Sequence, residues 1–372
     1  MKNLQFSAVV ANRRKEMGLK QEQVAQYIGV SRAAVSKWEK GLSYPDITLL
    51  PKLATYFNIS IDALLGYEPQ MTKERIGKTY ADLARRFSEQ PFEEVQKEIE
   101  QLLAEYYSCF PFVLKMAQLY LNYHPQAIDQ QQVLNRILEL SERVKEYSGD
   151  HLLINEAVMF EAYVKLVQGA PAEVLEILGE NVYIELGADQ LIATAHQMLG
   201  DVKKAKEILQ VSHYQHVIAT IGNAAESLPL EVLNESHFDE IVHRMQEMIR
   251  LFQVEQLNVN TALVFYLKAA MGYAMQNRTE KALEMIEVYC QICYRLEFPL
   301  RLQGDNYFYL LSDWIEDKIQ TCGQAPRDDL SIKKDLVKTM ANNPAFESLY
   351  GHPTYKSLMS NLKHHLHIEE EL

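Results

Sequence analysis

Apolar residues recur with the period of an α-helix along almost the whole chain, and near the N-terminus they mark five short helices. The first is predicted over residues 6–17 and the second over residues 21–28. Each is followed by a glycine, the residue that most readily accepts the positive φ that closes a helix. The other three are predicted over residues 32–40, 47–57 and 61–66. Short helices separated by tight turns are typical of a helix-turn-helix unit.

The third predicted helix carries side chains suited to a DNA groove. Ser31 precedes it as an N-cap, and Val35 and Trp38 are placed on its inward face. The outward face then holds Arg32, Ala33, Ser36, Lys37 and Lys40. Small alanines let a helix lie deep in a groove, while Arg32 can reach a base edge and its polar neighbours can reach bases or phosphates. This pattern predicts a recognition helix, and the alternative for each charged residue is an ordinary solvated position.

Charge separates the N-terminal segment from the rest of the chain. Residues 1–45 contain eight basic and three acidic residues, a net charge of +5, whereas the whole chain carries −13. The remaining residues therefore carry −18. A short basic segment on a long acidic chain indicates that only this segment contacts phosphates.

The motifs of this segment, in their order along the chain, resemble the Xre, or Cro/C1-type, DNA-binding domain. They are Leu19-Lys20-Gln21-Glu22-Gln23-Val24-Ala25, Gly29-Val30-Ser31-Arg32, Val35-Ser36-Lys37-Trp38-Glu39-Lys40-Gly41, Tyr44-Pro45-Asp46 and Leu64-Leu65-Gly66. The resemblance covers residues 5–66 and implies a five-helix domain that binds double-stranded operator DNA as a dimer. It implies that Gln21 contacts a phosphate and that Lys40 and Tyr44 contact the DNA backbone. The predicted DNA-binding set is Gln21, Ser31, Arg32, Ala33, Ser36, Lys37, Lys40 and Tyr44.

Behind this segment the helical periodicity contains a repeat. A small residue is followed seven positions later by a turn residue, and apolar residues follow five and nine positions after the turn. Three segments match, with small residues and turns at Ala162 and Gly169, Ala193 and Gly200, and Ala270 and Asn277. Their spacing brackets the ~34-residue period of tetratricopeptide repeats, with one unmatched pair expected near residues 218–254. The pattern resembles degenerate tetratricopeptide (TPR) repeats and implies a solenoid of stacked helix pairs.

These patterns predict an all-α chain with four parts. The head, residues 1–68, is a helix-turn-helix DNA-binding domain, and residues 69–72 form a linker. The body, residues 73–325, is a TPR-like α-solenoid for sensing and dimerisation, and residues 326–372 form a C-terminal helical cap and tail. No apolar stretch is long enough to cross a membrane, and the N-terminus does not resemble a signal peptide, so a cytoplasmic protein with no membrane partner is expected.

Catalytic and metal-binding motifs are not visible in the sequence. Cys290 and Cys293 form an isolated Cys-x-x-Cys pair within an apolar helical pattern, which favours packing thiols over a zinc or redox site. His364, His365 and His367 are interpreted as part of a mobile solvated tail, with adventitious metal binding as the alternative. We therefore expect no cofactor, no metal site and no enzymatic activity.

Tyrosine and amide side chains on the first helices of the predicted pairs indicate a groove for a peptide. Amides can hold an extended peptide backbone through paired hydrogen bonds, and tyrosines add contact area at low entropic cost. The alternative for each residue is a place in the core or on the ordinary surface. The predicted ligand-binding set is Tyr163, His196, Gln197, Asn260, Tyr266, Tyr273 and Asn306.

An Xre-type head joined to a repeat body resembles the peptide-pheromone receptors of Gram-positive bacteria, the group that includes the Rgg, PlcR and PrgX regulators. The resemblance implies a homodimeric transcriptional regulator for quorum sensing, in which a short signalling peptide changes operator binding. The alternative is a constitutive Xre-type repressor whose helical repeats dock a partner protein.

Overall fold

The computed structural model describes residues 5–182, 184–318 and 325–368, and every regular element in these ranges is a helix. The predicted all-α fold class is confirmed. None of the helices in the described ranges combines the length and the apolar character that crossing a bilayer requires.

The head forms five α-helices close to the predicted positions. They are α1 (Phe6–Glu16), α2 (Gln21–Ile28), α3 (Arg32–Glu39), α4 (Leu50–Phe57), which a 3₁₀ turn at Ile47–Leu49 precedes, and α5 (Ile61–Leu65). One apolar cluster unites them, and its centre contains the buried side chains of Phe6, Val35 and Leu53. The backbone N–H of Gln5 donates to the carbonyl of Leu65 at 3.1 Å, so the two ends of the head meet. The head therefore has a core of its own.

The remaining helices follow without an intervening strand in the described ranges. They are α6 (Lys73–Phe87), α7 (Phe92–Glu105), α8 (Phe110–Tyr123), α9 (Gln130–Tyr147), α10 (His151–Val167), α11 (Pro171–Leu178), α12 (Ala188–Met198), α13 (Val202–Ser227), α14 (Glu235–Leu251), α15 (Val254–Leu257), α16 (Val259–Met275), α17 (Thr279–Tyr294), α18 (Leu311–Lys318), α19 (Asp329–Ala341) and α20 (Pro353–Leu366). Short 3₁₀ helices lie at His124–Gln126, Leu228–Glu231 and Pro344–Leu349.

The three repeat matches each fall on two helices joined by a tight turn. The turns contain Gly169 at φ 74°, Gly200 at φ 85° and Asn277 at φ 58°, all in the left-handed region that glycine and asparagine tolerate best. The unmatched pair expected near residues 218–254 takes another form. The helix α13 continues to Ser227 because no proline interrupts it, so this stretch adds one new helix, α14.

The chain divides into two compact units. Within the described ranges, one contains residues 5–72, 93–120 and 127–164, and the other contains residues 73–92, 121–126 and 165–368. In the first unit, Arg136 of α9 pairs with Glu100 of α7 at 2.8 Å. In the second unit, one apolar cluster joins α13, α14, α16, α17, α19 and α20. The predicted boundaries at residues 68, 72 and 325 stay predictions.

Close packing in the second unit depends on a glycine. Gly272 of α16 faces Phe238 of α14, whose ring is fully buried and lies edge-to-face with Tyr273. A Cβ atom at Gly272 would lie 2.2 Å from Cζ of Phe238, far inside van der Waals contact. The absence of a side chain at this position lets α14 and α16 approach.

The wall segment, residues 325–328, is held by tyrosines from distant parts of the chain. The Tyr80 hydroxyl in α6 donates to the Pro326 carbonyl at 2.7 Å, and the Asn122 amide donates to the same carbonyl at 3.3 Å. The Tyr123 hydroxyl donates to a carboxylate oxygen of Asp328 at 2.8 Å. These bonds fix the wall segment against α6 and the end of α8.

Candidate DNA-binding surface

The helix α3 places its apolar and polar residues on opposite faces. Val35 and Trp38 are buried in the head core, in agreement with the packing role predicted for Trp38. The predicted groove residues lie on the other side, with Arg32, Ala33 and Lys37 exposed and Ser36 half-buried. The side chains predicted to meet DNA are therefore accessible on one short helix.

Both ends of α3 are fixed by its neighbouring residues. The Ser31 hydroxyl accepts a hydrogen bond from the Ala34 N–H at 3.2 Å, which satisfies one of the unpaired donors of the first turn. Lys40 ends the helix and is exposed. Tyr44 keeps more than half of its surface in water while its ring contacts Phe6 at a centroid distance of 6.0 Å.

A charged cluster joins α1, α2 and α3 beneath this surface. Arg14 donates from Nε and Nη2 to the Glu39 carboxylate, at 2.5 and 2.9 Å, and from Nη1 to the Leu19 carbonyl. Gln21, the predicted phosphate contact, donates its side-chain amide to the same carboxylate at 2.9 Å. The cluster therefore sets the position of Gln21 through Glu39.

The protonation state of Glu39 follows from these contacts. Burial opposes the charged form, but the hydrogen bonds from Arg14 and Gln21 outweigh it and lower the pKa of the carboxyl. The hydrogen bond to Glu39 likewise raises the pKa of Arg14. This cluster could not be predicted from the sequence, because opposite charges on different helices leave no signal in linear spacing.

The structure distributes the predicted ligand-binding residues over several places. Asn260, Asn306 and Tyr266 line three different cavities, of about 530, 610 and 440 Å³ respectively. Tyr273 is buried, and its hydroxyl donates to Asp239 at 3.0 Å, which places it in the core as the alternative interpretation has it. The remaining members, on α10 and α12, are the exposed Tyr163 and Gln197 and the half-buried His196.

The cysteine pair and the C-terminal histidines occupy ordinary helical positions. Cys290 and Cys293 are buried in α17, and burial raises the pKa of Cys290 to about 12, so its thiol is protonated at neutral pH. His364 and His365 belong to α20, and the His365 ring stacks on Tyr294 at 4.2 Å. The predicted mobile tail is therefore wrong at these histidines, because the amphipathic pattern of α20 continues through them. Within the described part of the chain no three potential metal ligands cluster.

Comparison with known proteins gives matches for the head. The family described as HTH_3, helix-turn-helix, matches residues 10–64. An HTH-type transcriptional activator, BcrR of Enterococcus faecalis, is 38% identical over 69 residues, which are 18% of this chain and 34% of BcrR. The ImmF control region 10 kDa protein of Bacillus phage phi105 is 32% identical over 69 residues, which are 18% of this chain and 77% of the phage protein. The chain thus spans about a third of the length of BcrR and about three quarters of the phage protein.

One solved structure covers more of the chain at a low level of similarity. It is the apo form of the competence regulator ComR from Streptococcus vestibularis, with 79% of this chain and 93% of that chain covered. The sequence identity is 16% and the TM-score is 0.25.

Proposed function

Because this chain belongs to the Xre-type helix-turn-helix family, we propose that its head binds operator DNA and that the protein is a cytoplasmic transcriptional regulator. The exposed face of the capped helix α3 carries this proposal. Arg32 reads a base edge in the major groove, Lys37 contacts a base or a phosphate, and Lys40 contacts the DNA backbone. The net charge of +5 on residues 1–45 attracts the head to DNA, while the acidic remainder is repelled.

The body adjusts this binding in response to a ligand, which we propose is a short signalling peptide. The second unit supports the proposal because it contains cavities within the size range of ligand pockets. A ligand that binds two arrangements of the protein with different affinity shifts the population between them. No chemical step is needed for such a response, so the protein has no catalytic role in this proposal.

The operator-binding form is a homodimer. Helix-turn-helix dimers present two recognition helices about 34–36 Å apart to successive turns of the major groove. Apolar residues of α11 and α12 support self-association: α11 has no buried side chain, and Leu191 and Met198 of α12 are 71% and 83% exposed. An apolar face of this kind on a soluble chain is typical of an interaction surface.

Selection of DNA by the intact protein tests the proposal. The native chain, Arg32→Ala and Lys40→Ala are each incubated with random duplexes at two salt concentrations, and bound sequences are compared. Loss of Arg32 is expected to relax the preference at one base position by about 1–3 kcal/mol. Loss of Lys40 is expected to lower the affinity for all sequences alike and to reduce the slope of log affinity against log salt concentration by about 1. Recovery of no preferred sequence with the native protein at low salt contradicts the proposed function.

A second candidate is a constitutive repressor whose helical repeats dock a partner protein, and the apolar residues of α11 and α12 favour it as well. The two candidates differ in the composition of the DNA-bound complex and in its response to peptide. A homodimer on DNA that responds to peptide supports the first. A DNA-bound chain that ignores peptide and is recovered with a stoichiometric protein partner supports the second.

A further inference from the structure

One cavity of the second unit has the size and the polarity of a ligand site. It measures about 530 Å³ and lies between α16, residues 300–302, the wall segment and α19. Leu263, Leu267 and Leu336 contribute apolar walls. Asn260, at the rim, is the one member of the predicted ligand-binding set on this wall. This volume lies within the ~300–1,000 Å³ range of ligand pockets.

The positive side chains that line this cavity outnumber the negative ones among the described residues. In the described ranges, Arg301 and Arg327 line it together with one carboxylate, Asp335, which pairs with Nη1 of Arg327. Nε of Arg327 is buried and has no hydrogen-bond partner among the residues that the structure describes. A buried donor without an acceptor is unusual in a folded protein. Two guanidinium groups facing one carboxylate therefore favour an anionic group on the ligand.

The geometry of a guanidinium narrows the choice of anion. Nη1 of Arg327 pairs with Asp335, and Arg301 also lines the cavity. A planar carboxylate accepts two parallel hydrogen bonds from one edge of a guanidinium group. The amide side chain of Asn260 can pair with a peptide backbone beside it.

The site is also rigid on the side that carries Arg327. The neighbouring Pro326 carbonyl accepts hydrogen bonds from Tyr80 and Asn122. The Arg327 guanidinium lies 5.4 Å from the centroid of the Tyr123 ring. A guanidinium held in place before the ligand arrives loses little freedom on binding.

We propose that this cavity binds the C-terminal residue of a short peptide, with an apolar side chain among the leucines and a free carboxylate on Arg327 and Arg301. The assignment rests on the proposed function, because it identifies which end of the signalling peptide the body recognises. A peptide whose C-terminus is amidated lacks the charge and the acceptor geometry that this site requires.

Affinity selection with the full-length protein tests the assignment. The probe is a library of seven-residue peptides with apolar C-terminal residues, offered as an equal mixture of free acids and C-terminal amides, and retained peptides are identified by mass spectrometry. The native protein is expected to enrich free acids over amides at least tenfold. Arg327→Met is expected to abolish this preference, and Arg327→Lys to restore part of it. Arg295→Met serves as the matched control, because Arg295 is exposed and does not line the cavity.

The outcomes separate this assignment from the proposed function. Equal retention of acids and amides by the native protein, or an unchanged acid preference in Arg327→Met, overturns the cavity assignment and leaves peptide sensing in place. Retention of no peptide overturns both the assignment and peptide sensing, while selection of a DNA sequence by the head is measured independently. Circular dichroism and selection of the same DNA sequence confirm that each variant is folded.

Discussion

Replacing Gly272 by alanine tests whether the approach of α14 and α16 depends on the missing side chain. In a helix interior, alanine is more favourable than glycine by about 1 kcal/mol. Here the added Cβ would lie 2.2 and 2.4 Å from two ring carbons of Phe238, whereas carbon atoms in contact stay ~3.5–4.0 Å apart. The ring is fully buried, so it must move within a filled core, at the upper end of the ~1–3 kcal/mol typical of overpacking. The net expectation is a loss of about 1–2 kcal/mol.

Gly222 of α13 provides the matched control. It also lies within a long helix, but no atom lies within 4 Å of the Cβ that alanine would add. Gly222→Ala should therefore stabilise the protein by up to about 1 kcal/mol. Urea unfolding of the full-length chain, followed by circular dichroism, measures both. Phe238→Leu in the Gly272→Ala background should recover part of the loss. If Gly272→Ala is as stable as Gly222→Ala, the steric argument is refuted.

Three further predictions concern charged and thiol groups. Glu39→Gln leaves the Arg14 guanidinium without a counterion in a site where both side chains are largely buried, and should lower the free energy of unfolding by about 3 kcal/mol in urea titrations. Asp239→Asn should lower the thermal midpoint at pH 7, and the difference from the native protein should vanish as the pH falls from about 4 to 2. Burial opposes the charge on Asp239, but three hydrogen bonds outweigh it and hold the pKa of this carboxyl at about 2 in the folded protein. The stabilisation is therefore complete above the pKa of Asp239 in the unfolded chain and disappears below its pKa in the folded protein. Cys290 and Cys293 should resist iodoacetamide at pH 7 until the chain is denatured, as peptide mass mapping would report, because only the thiolate reacts.

The helices of the head could be predicted nearly to the residue because local signals agree there. Gly29 and Gly66 adopt left-handed φ values at the ends of α2 and α5, and Ser31 caps α3, so each boundary has its own chemical cause. The turns of the three repeat matches were predictable for the same reason. The helix α13 differed because no proline interrupts it near residue 218, so it continues to Ser227 and ends just before Pro229.

The polar clusters and the cavity could not be predicted, because each joins segments far apart in sequence. Arg14 meets Glu39 across two helices, and Tyr80 in α6 meets the carbonyl of Pro326. The periodicity of α16 likewise does not say which of its faces is covered. Tyr273 accordingly lies in the core, whereas Asn260 of the same helix lies at the rim of a cavity.

The bonds between α6 and the wall segment bear on how the protein is made on the ribosome. The head has a complete core within its own residues and can fold as soon as they emerge. Tyr80 and Tyr123 find their partners at Pro326 and Asp328, which are synthesised near the end of translation. A nascent chain should therefore carry a finished head while the second unit is still open. A premature stop codon before residue 325 would release a chain with a folded head that lacks the partners of Tyr80 and Tyr123.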